Sequence, residues 1–233
     1  MNIFQGKNRS RWLSVVHFGW LLGFILTSIY PSQSQANAQD NTLQTAQSTW
    51  LVFGDSLSAA YGMDEQQGWV ALLQKKLQKT APHVHIVNAS ISGETTSGGK
   101  QRLPALLQQY HPELLVLQLG ANDALRGQDL RSTQQNLQEM IASCILANKE
   151  CQVVLLGVRL PTNYGPAYDE MFKTMYRTLA DNNGVLFDGF FLETVAGEPD
   201  LVQWDGLHPN ASAQPLILQR VWPLFEQKLL PTE

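Results

Sequence analysis

From residue 49 onward, short apolar runs alternate with longer amphipathic stretches. The runs TWLVFG (49–54), HVHIVNA (83–89), ELLVLQLG (113–120), QVVLLGV (152–158) and GVLFDGF (184–190) are bounded by turn residues or charge, which predicts five strands. Between them, helices are predicted near 67–80, 99–110, 130–148 and 167–183, with a last one near 211–229 after HPNAS. Strands that are apolar almost throughout must be buried on both faces. Their alternation with helices therefore predicts a parallel sheet of about five strands covered on each side, an α/β fold with three α/β/α layers. Right-handed crossovers restrict such a chain to a doubly wound topology, whose binding crevice lies beyond the carboxyl ends of the strands.

The N-terminal segment follows different rules. Lys7, Arg9 and Arg11 precede the almost wholly apolar LSVVHFGWLLGFILTSIY, and Ala36 and Ala38 stand in an A-x-A arrangement. This reads as a secretory signal over residues 1–38, cleaved after Ala38, with an uncleaved anchor as the alternative. The polar, aperiodic QDNTLQTAQS (39–48) reads as a flexible leader, and residues 49–233 as one domain. Removing residues 1–38 takes three of the 16 basic residues and none of the 20 acidic ones, leaving a charge of −7. That balance argues against a nucleic-acid binder, whose affinity comes mainly from neutralising phosphates. The expected protein is periplasmic or secreted, a monomer, and not inserted in the membrane once cleaved.

Two cysteines, Cys144 and Cys151, are separated by ILANKE, with no further Cys or His at ligand spacing to complete a metal site. In an exported chain a disulfide is the better reading; two unlinked thiols at a helix end and a strand start are the other. No phosphate-binding loop or ligand cluster is present, so neither a cofactor nor a metal is expected.

Ser56 directly follows the first predicted strand, in LVFGDSLSAAYGM. A serine there is ordinarily a turn or cap residue; as a nucleophile it needs a base, a group to orient that base, and oxyanion donors. Of the histidines after the leader, His83, His85 and His111 sit in structural contexts, whereas His208 lies in WDGLHPN, three residues after Asp205 and just before the final helix. One loop can turn both inward, the carboxylate holding one imidazole nitrogen while the other faces Ser56. Gly93 in SISGET can bring its backbone N–H close to a substrate oxygen, and Asn122 in LGAND can add a side-chain amide. Each of these follows a separate strand.

The blocks GDSLS, SISGE, GAND and DGLHPN together resemble the GDSL, or SGNH, hydrolase family. The likeness extends through RLPALL, LRG, RLPTNYG and HPNASAQP, and is to the group of bacterial periplasmic thioesterases, arylesterases and lysophospholipases. The resemblance implies a flavodoxin-like sandwich, with Ser56 as nucleophile and Asp205 and His208 completing the triad. It also implies an oxyanion hole of Ser56 N–H, Gly93 N–H and the Asn122 amide, and a loop-ordering role for Asp55. Ala121 departs from the family pattern, where Gly is frequent. The absence of G-x-S-x-G around Ser56 disfavours the α/β-hydrolase fold.

The expected function is hydrolysis of a small-molecule acyl ester or thioester through an acyl-enzyme. Leu125, Leu160, Pro161 and Tyr164 are expected to line an acyl groove. A carbohydrate O-acetyl esterase is the enzymatic alternative. A binding module that has lost its chemistry is the non-enzymatic one, and it predicts replacement of a block residue, which the sequence does not show.

Overall fold

The structure, a computed structural model, describes residues 47–230. The proposed signal segment and nearly all of the leader lie outside the described residues. Five strands, β1 (Ser48–Gly54), β2 (Val84–Asn88), β3 (Leu114–Gln118), β4 (Gln152–Leu156) and β5 (Leu186–Asp188), form one parallel sheet in the order β2-β1-β3-β4-β5. This is the flavodoxin-like order. Ser48, assigned by sequence to the leader, is the first residue of β1, where its N–H bonds to the His83 carbonyl and its hydroxyl to Glu113 at 2.7 Å.

The helices are α1 (Trp69–Thr80), α2 (Thr96–Tyr110), α3 (Ala121–Leu125), α4 (Leu130–Ala147), α5 (Pro166–Asn183) and α6 (Gln214–Leu229). In β1, Trp50 packs on Phe225 of α6, while Phe53, three residues on and therefore on the other face, meets Arg102 of α2. Thus α1 and α6 pair on one side of the sheet, and α2, α4 and α5 pack in succession on the other. Gly99 permits the close approach of α2, since a Cβ there would stand 2.7 Å from Leu119 Cδ1 and 3.1 Å from Phe53.

The long elements begin where local chemistry stops competing with the helix. The second starts at Thr96, earlier than the pattern predicts, because Thr95 accepts the Gly98 N–H as N-cap. The last starts at Gln214, later than predicted, because Asn210 Oδ1 accepts the N–H groups of Ser212 and Ala213 and holds 211–213 as a turn. Cys144 and Cys151 are joined by a disulfide that ties the end of α4 to the start of β4. Among the described residues, no helix is long and apolar enough to cross a membrane.

Candidate active site

The strand order 2-1-3 brings three loops together at the carboxyl edge of the sheet: Ser56 after β1, Gly93 after β2 and Asn122 after β3. The strand order reverses between β1 and β3, the topological switch point at which doubly wound sheets open a crevice. Ser56 sits on a tight turn whose N–H groups at Ser58 and Ala59 bond to the Asp55 carbonyl at 3.2 and 3.0 Å.

The loop before α6 carries the other two members of the sequence-predicted triad. His208 Nδ1 stands 2.7 Å from Asp205 Oδ2, and Nε2 stands 2.9 Å from Ser56 Oγ. Asp205 Oδ1 also accepts the N–H groups of Leu207 and His208, at 2.9 and 3.0 Å, which fixes the carboxylate before the ring is placed. Burial pushes the Asp205 carboxyl up, but the His208 and Leu207 N–H groups and the His208 ring outweigh it and hold it at about 2. An ionised Asp205 requires the proton on Nδ1, which leaves the Nε2 lone pair to accept the Ser56 hydroxyl. The Tyr61 ring lies against His208, with centroids 4.5 Å apart.

The donor side is organised around a buried carboxyl group. Asp55 is fully buried; its Oδ1 accepts the Leu57 N–H and the Gln118 amide, both at 3.0 Å. Burial pushes this carboxyl up to about 6, against those hydrogen bonds and the nearby His208, which pull it down. Asn122 Nδ2 donates to the Glu94 carbonyl at 3.1 Å and lies 3.4 Å from Asp55 Oδ2, so its amide plane is set from two loops. Gly93 has φ +79, a conformation that favours glycine, and its carbonyl accepts Arg126 Nη2 at 3.1 Å. Asp123, beside Asn122, is buried and bonded by the backbone and hydroxyl of Thr96 and by Thr133, which staples α3 to α2 and α4.

All of Ser56, Gly93, Asn122 and His208 line one cleft of about 640 Å³. Leu125, Leu160 and Pro161 stand on its wall, as does Arg159. Asp169 pins that wall: it pairs with Arg159 through two hydrogen bonds from Nε at 2.9 Å, and accepts the Leu160 N–H at 3.1 Å. The Arg159 contact holds the Asp169 carboxyl below its ordinary value. Tyr164 differs from the expectation. It is outside the cleft lining, its hydroxyl donating to the Leu125 carbonyl at 3.0 Å and its ring stacking on Tyr168, so it supports the wall from behind.

The opposite wall was not anticipated. Phe190, Leu192, Val195, Val202 and Leu207, from the connection between β5 and α6, supply much of the apolar lining. The signal for it was the apolar content of FFLETVAGEPDLV, in which no helical or strand period stands out. The sequence reading also missed Gln118, whose amide holds Asp55 and whose carbonyl oxygen accepts the Ser58 hydroxyl at 2.7 Å.

Comparison with known proteins agrees with this geometry. The model of the GDSL-like lipase/acylhydrolase family matches residues 52–214. Esterase TesA of Pseudomonas aeruginosa is 47% identical over 188 residues, covering 81% of this chain and 92% of its own. The Thioesterase 1/protease 1/lysophospholipase L1 of Escherichia coli K12 is 44% identical over 172 residues, 74% of this chain and 80% of that one. A crystal structure of TesA superposes with a TM-score of 0.74 at 47% identity, covering 77% of this chain and 98% of that chain. With a family model spanning most of the domain and relatives nearly half identical along most of their length, this chain belongs to the GDSL-like lipase/acylhydrolase family.

Proposed function

We propose that this ester-hydrolysing enzyme works through an acylated Ser56, with His208 as general base and acid and Asp205 orienting the ring. The observation that carries the reading is the unbroken hydrogen-bonded chain from Asp205 to His208 to Ser56, at 2.7 and 2.9 Å, at the head of an apolar cleft. His208 Nε2 takes the Ser56 proton as Oγ bonds to the carbonyl carbon of an ester or thioester. The developing oxyanion is met by the N–H groups of Ser56 and Gly93 and the Asn122 amide. His208 then returns the proton to the leaving alcohol or thiol as its bond to the acyl carbon breaks. A water molecule, deprotonated by His208, releases the acid and restores Ser56.

The apolar walls support acyl thioesters, aryl esters and lysophospholipids as substrates, rather than the acetylated carbohydrates of the alternative reading. The residue 1–38 signal supports a periplasmic or secreted protein, and the four family blocks are intact, which speaks against a binding module. A series of p-nitrophenyl esters tests the substrate reading. kcat/KM is expected to rise with chain length from acetyl, by at most about fourfold per methylene, the equivalent of about 0.8 kcal/mol buried. Leu160→Ser is expected to flatten that rise while sparing acetyl-ester turnover. A maximum at acetyl, with no selective effect of Leu160→Ser, overturns the acyl-groove reading and favours the O-acetyl esterase.

A further inference from the structure

Single apolar side chains on a surface carry no information, but their concentration does. Of the nine large apolar side chains exposed among the described residues, Tyr61, Ile91, Trp204 and Leu207 lie on the loops around the mouth of the cleft, so this rim is the surface to explain. Trp204 is 95% exposed, with almost no contact to the rest of the protein. Its backbone is nonetheless held in place. It occupies a turn closed by the Gly206 N–H on the Gln203 carbonyl at 2.9 Å and by the Gln203 N–H on the His208 carbonyl at 2.7 Å. Gln203 Nε2 donates to the Tyr61 carbonyl at 2.7 Å, which holds this turn beside Tyr61.

Tyr61 and Leu207 are at once cleft wall and exposed surface, so the apolar lining reaches the rim at these two residues. An indole is favoured where an apolar body meets a wet polar edge, as at the headgroup level of a lipid layer. The net charge, −4 for the full chain and −7 without residues 1–38, opposes approach to an anionic layer. We infer that the Trp204 turn is a docking edge that seats the mouth of the cleft on a zwitterionic lipid–water interface. An acyl ester then passes from the lipid aggregate toward Ser56 without its chain crossing bulk water. This rests on the acyl-ester reading of the same cleft.

The test uses the chain from Gln39, the form left by the proposed cleavage after Ala38, vesicles of phosphatidylcholine brominated in the acyl chains, and the variant Trp204→Ala, whose side chain belongs to neither the triad nor the cleft lining. Of the four tryptophans from residue 39 onward, Trp50 and Trp69 are buried, at 1% and 0% exposure, and Trp222 is half-buried under Lys76, so the quenching lost in Trp204→Ala reports Trp204. Wild-type fluorescence is expected to be quenched by the vesicles, and Trp204→Ala to partition about tenfold more weakly, the loss of one large buried side chain. Turnover of p-nitrophenyl acetate in solution, without lipid, is expected within twofold of wild type, which also reports that the variant is folded. Absence of quenching, quenching only when the vesicles are made anionic, or equal partitioning of Trp204→Ala overturns the inference. The two readings fail separately: a wild type that hydrolyses the soluble ester but ignores vesicles loses the docking edge alone. One that is quenched yet turns over no ester loses the catalytic reading.

Discussion

The buried Asp55 makes a quantitative demand on stability. Burial raises its carboxyl from 3.8 to about 6 in the folded protein, so between those values the native state holds a proton that the unfolded chain has released. Stability therefore falls as pH rises through this window, by about 1.36 kcal/mol per unit of difference, or about 3 kcal/mol in all. About two-thirds of the fall lies between pH 4 and pH 6. Asp55→Asn removes the titration and keeps an oxygen for the Leu57 N–H and the Gln118 amide, although its new NH2 faces Asn122 Nδ2 in place of an acceptor. The assay is urea unfolding of both proteins from pH 3.5 to 7.5, because every other titrating group cancels in their difference. The stability of wild type minus that of Asp55→Asn is expected to drop by about 3 kcal/mol from the acid end to pH 7. A difference that stays flat, or rises with pH, refutes the argument that desolvation dominates at Asp55.

Other consequences are simpler to read. Asn122→Ala removes one oxyanion donor and is expected to lower kcat by about 10²–10³ with little change in KM; a pure KM effect would make it a binding residue. Asp205→Asn is expected to depress kcat through loss of the His208 tautomer while the protein stays folded, and unchanged turnover would reduce Asp205 to a loop residue. Cys144 and Cys151 close a loop of eight residues, worth about 2.5 kcal/mol of chain entropy, so reduction is expected to lower Tm by about 5–10 °C; an unmoved Tm contradicts a bridged native state.

Much of the fold was legible because parallel strands are buried on both faces and must be apolar nearly throughout. Leu51, Val52 and Phe53 of β1 and Leu114 to Leu117 of β3 are all fully buried, and each sits inside a run that stands out by eye. The family blocks were equally plain, since each chemical group follows its own strand. Short elements left no such trace. Helix α3 has five residues and is held by Asp123 accepting from Thr96 and Thr133, bonds across 27 and 10 positions that no local pattern encodes. Asp55 acquires its raised titration from burial, against the opposing hydrogen bond from Gln118, 63 residues away. Tyr164 looked like a cleft residue because its neighbours Leu160 and Pro161 are; its direction is set by a hydrogen bond to Leu125, 39 residues upstream. Side-chain direction in a loop is a tertiary fact.

The central claim is that Ser56 becomes covalently acylated, and active-site labelling tests it most directly. A fluorophosphonate reacts with a serine activated as Ser56 is by His208 at 2.9 Å, and peptide mass mapping locates the adduct. The account predicts one adduct per chain, on Ser56, with ester turnover lost in proportion to labelling. A folded Ser56→Ala is predicted to take no label and to lose about three to six orders of magnitude in turnover. An adduct on any other residue, or near-normal turnover by folded Ser56→Ala, would contradict it.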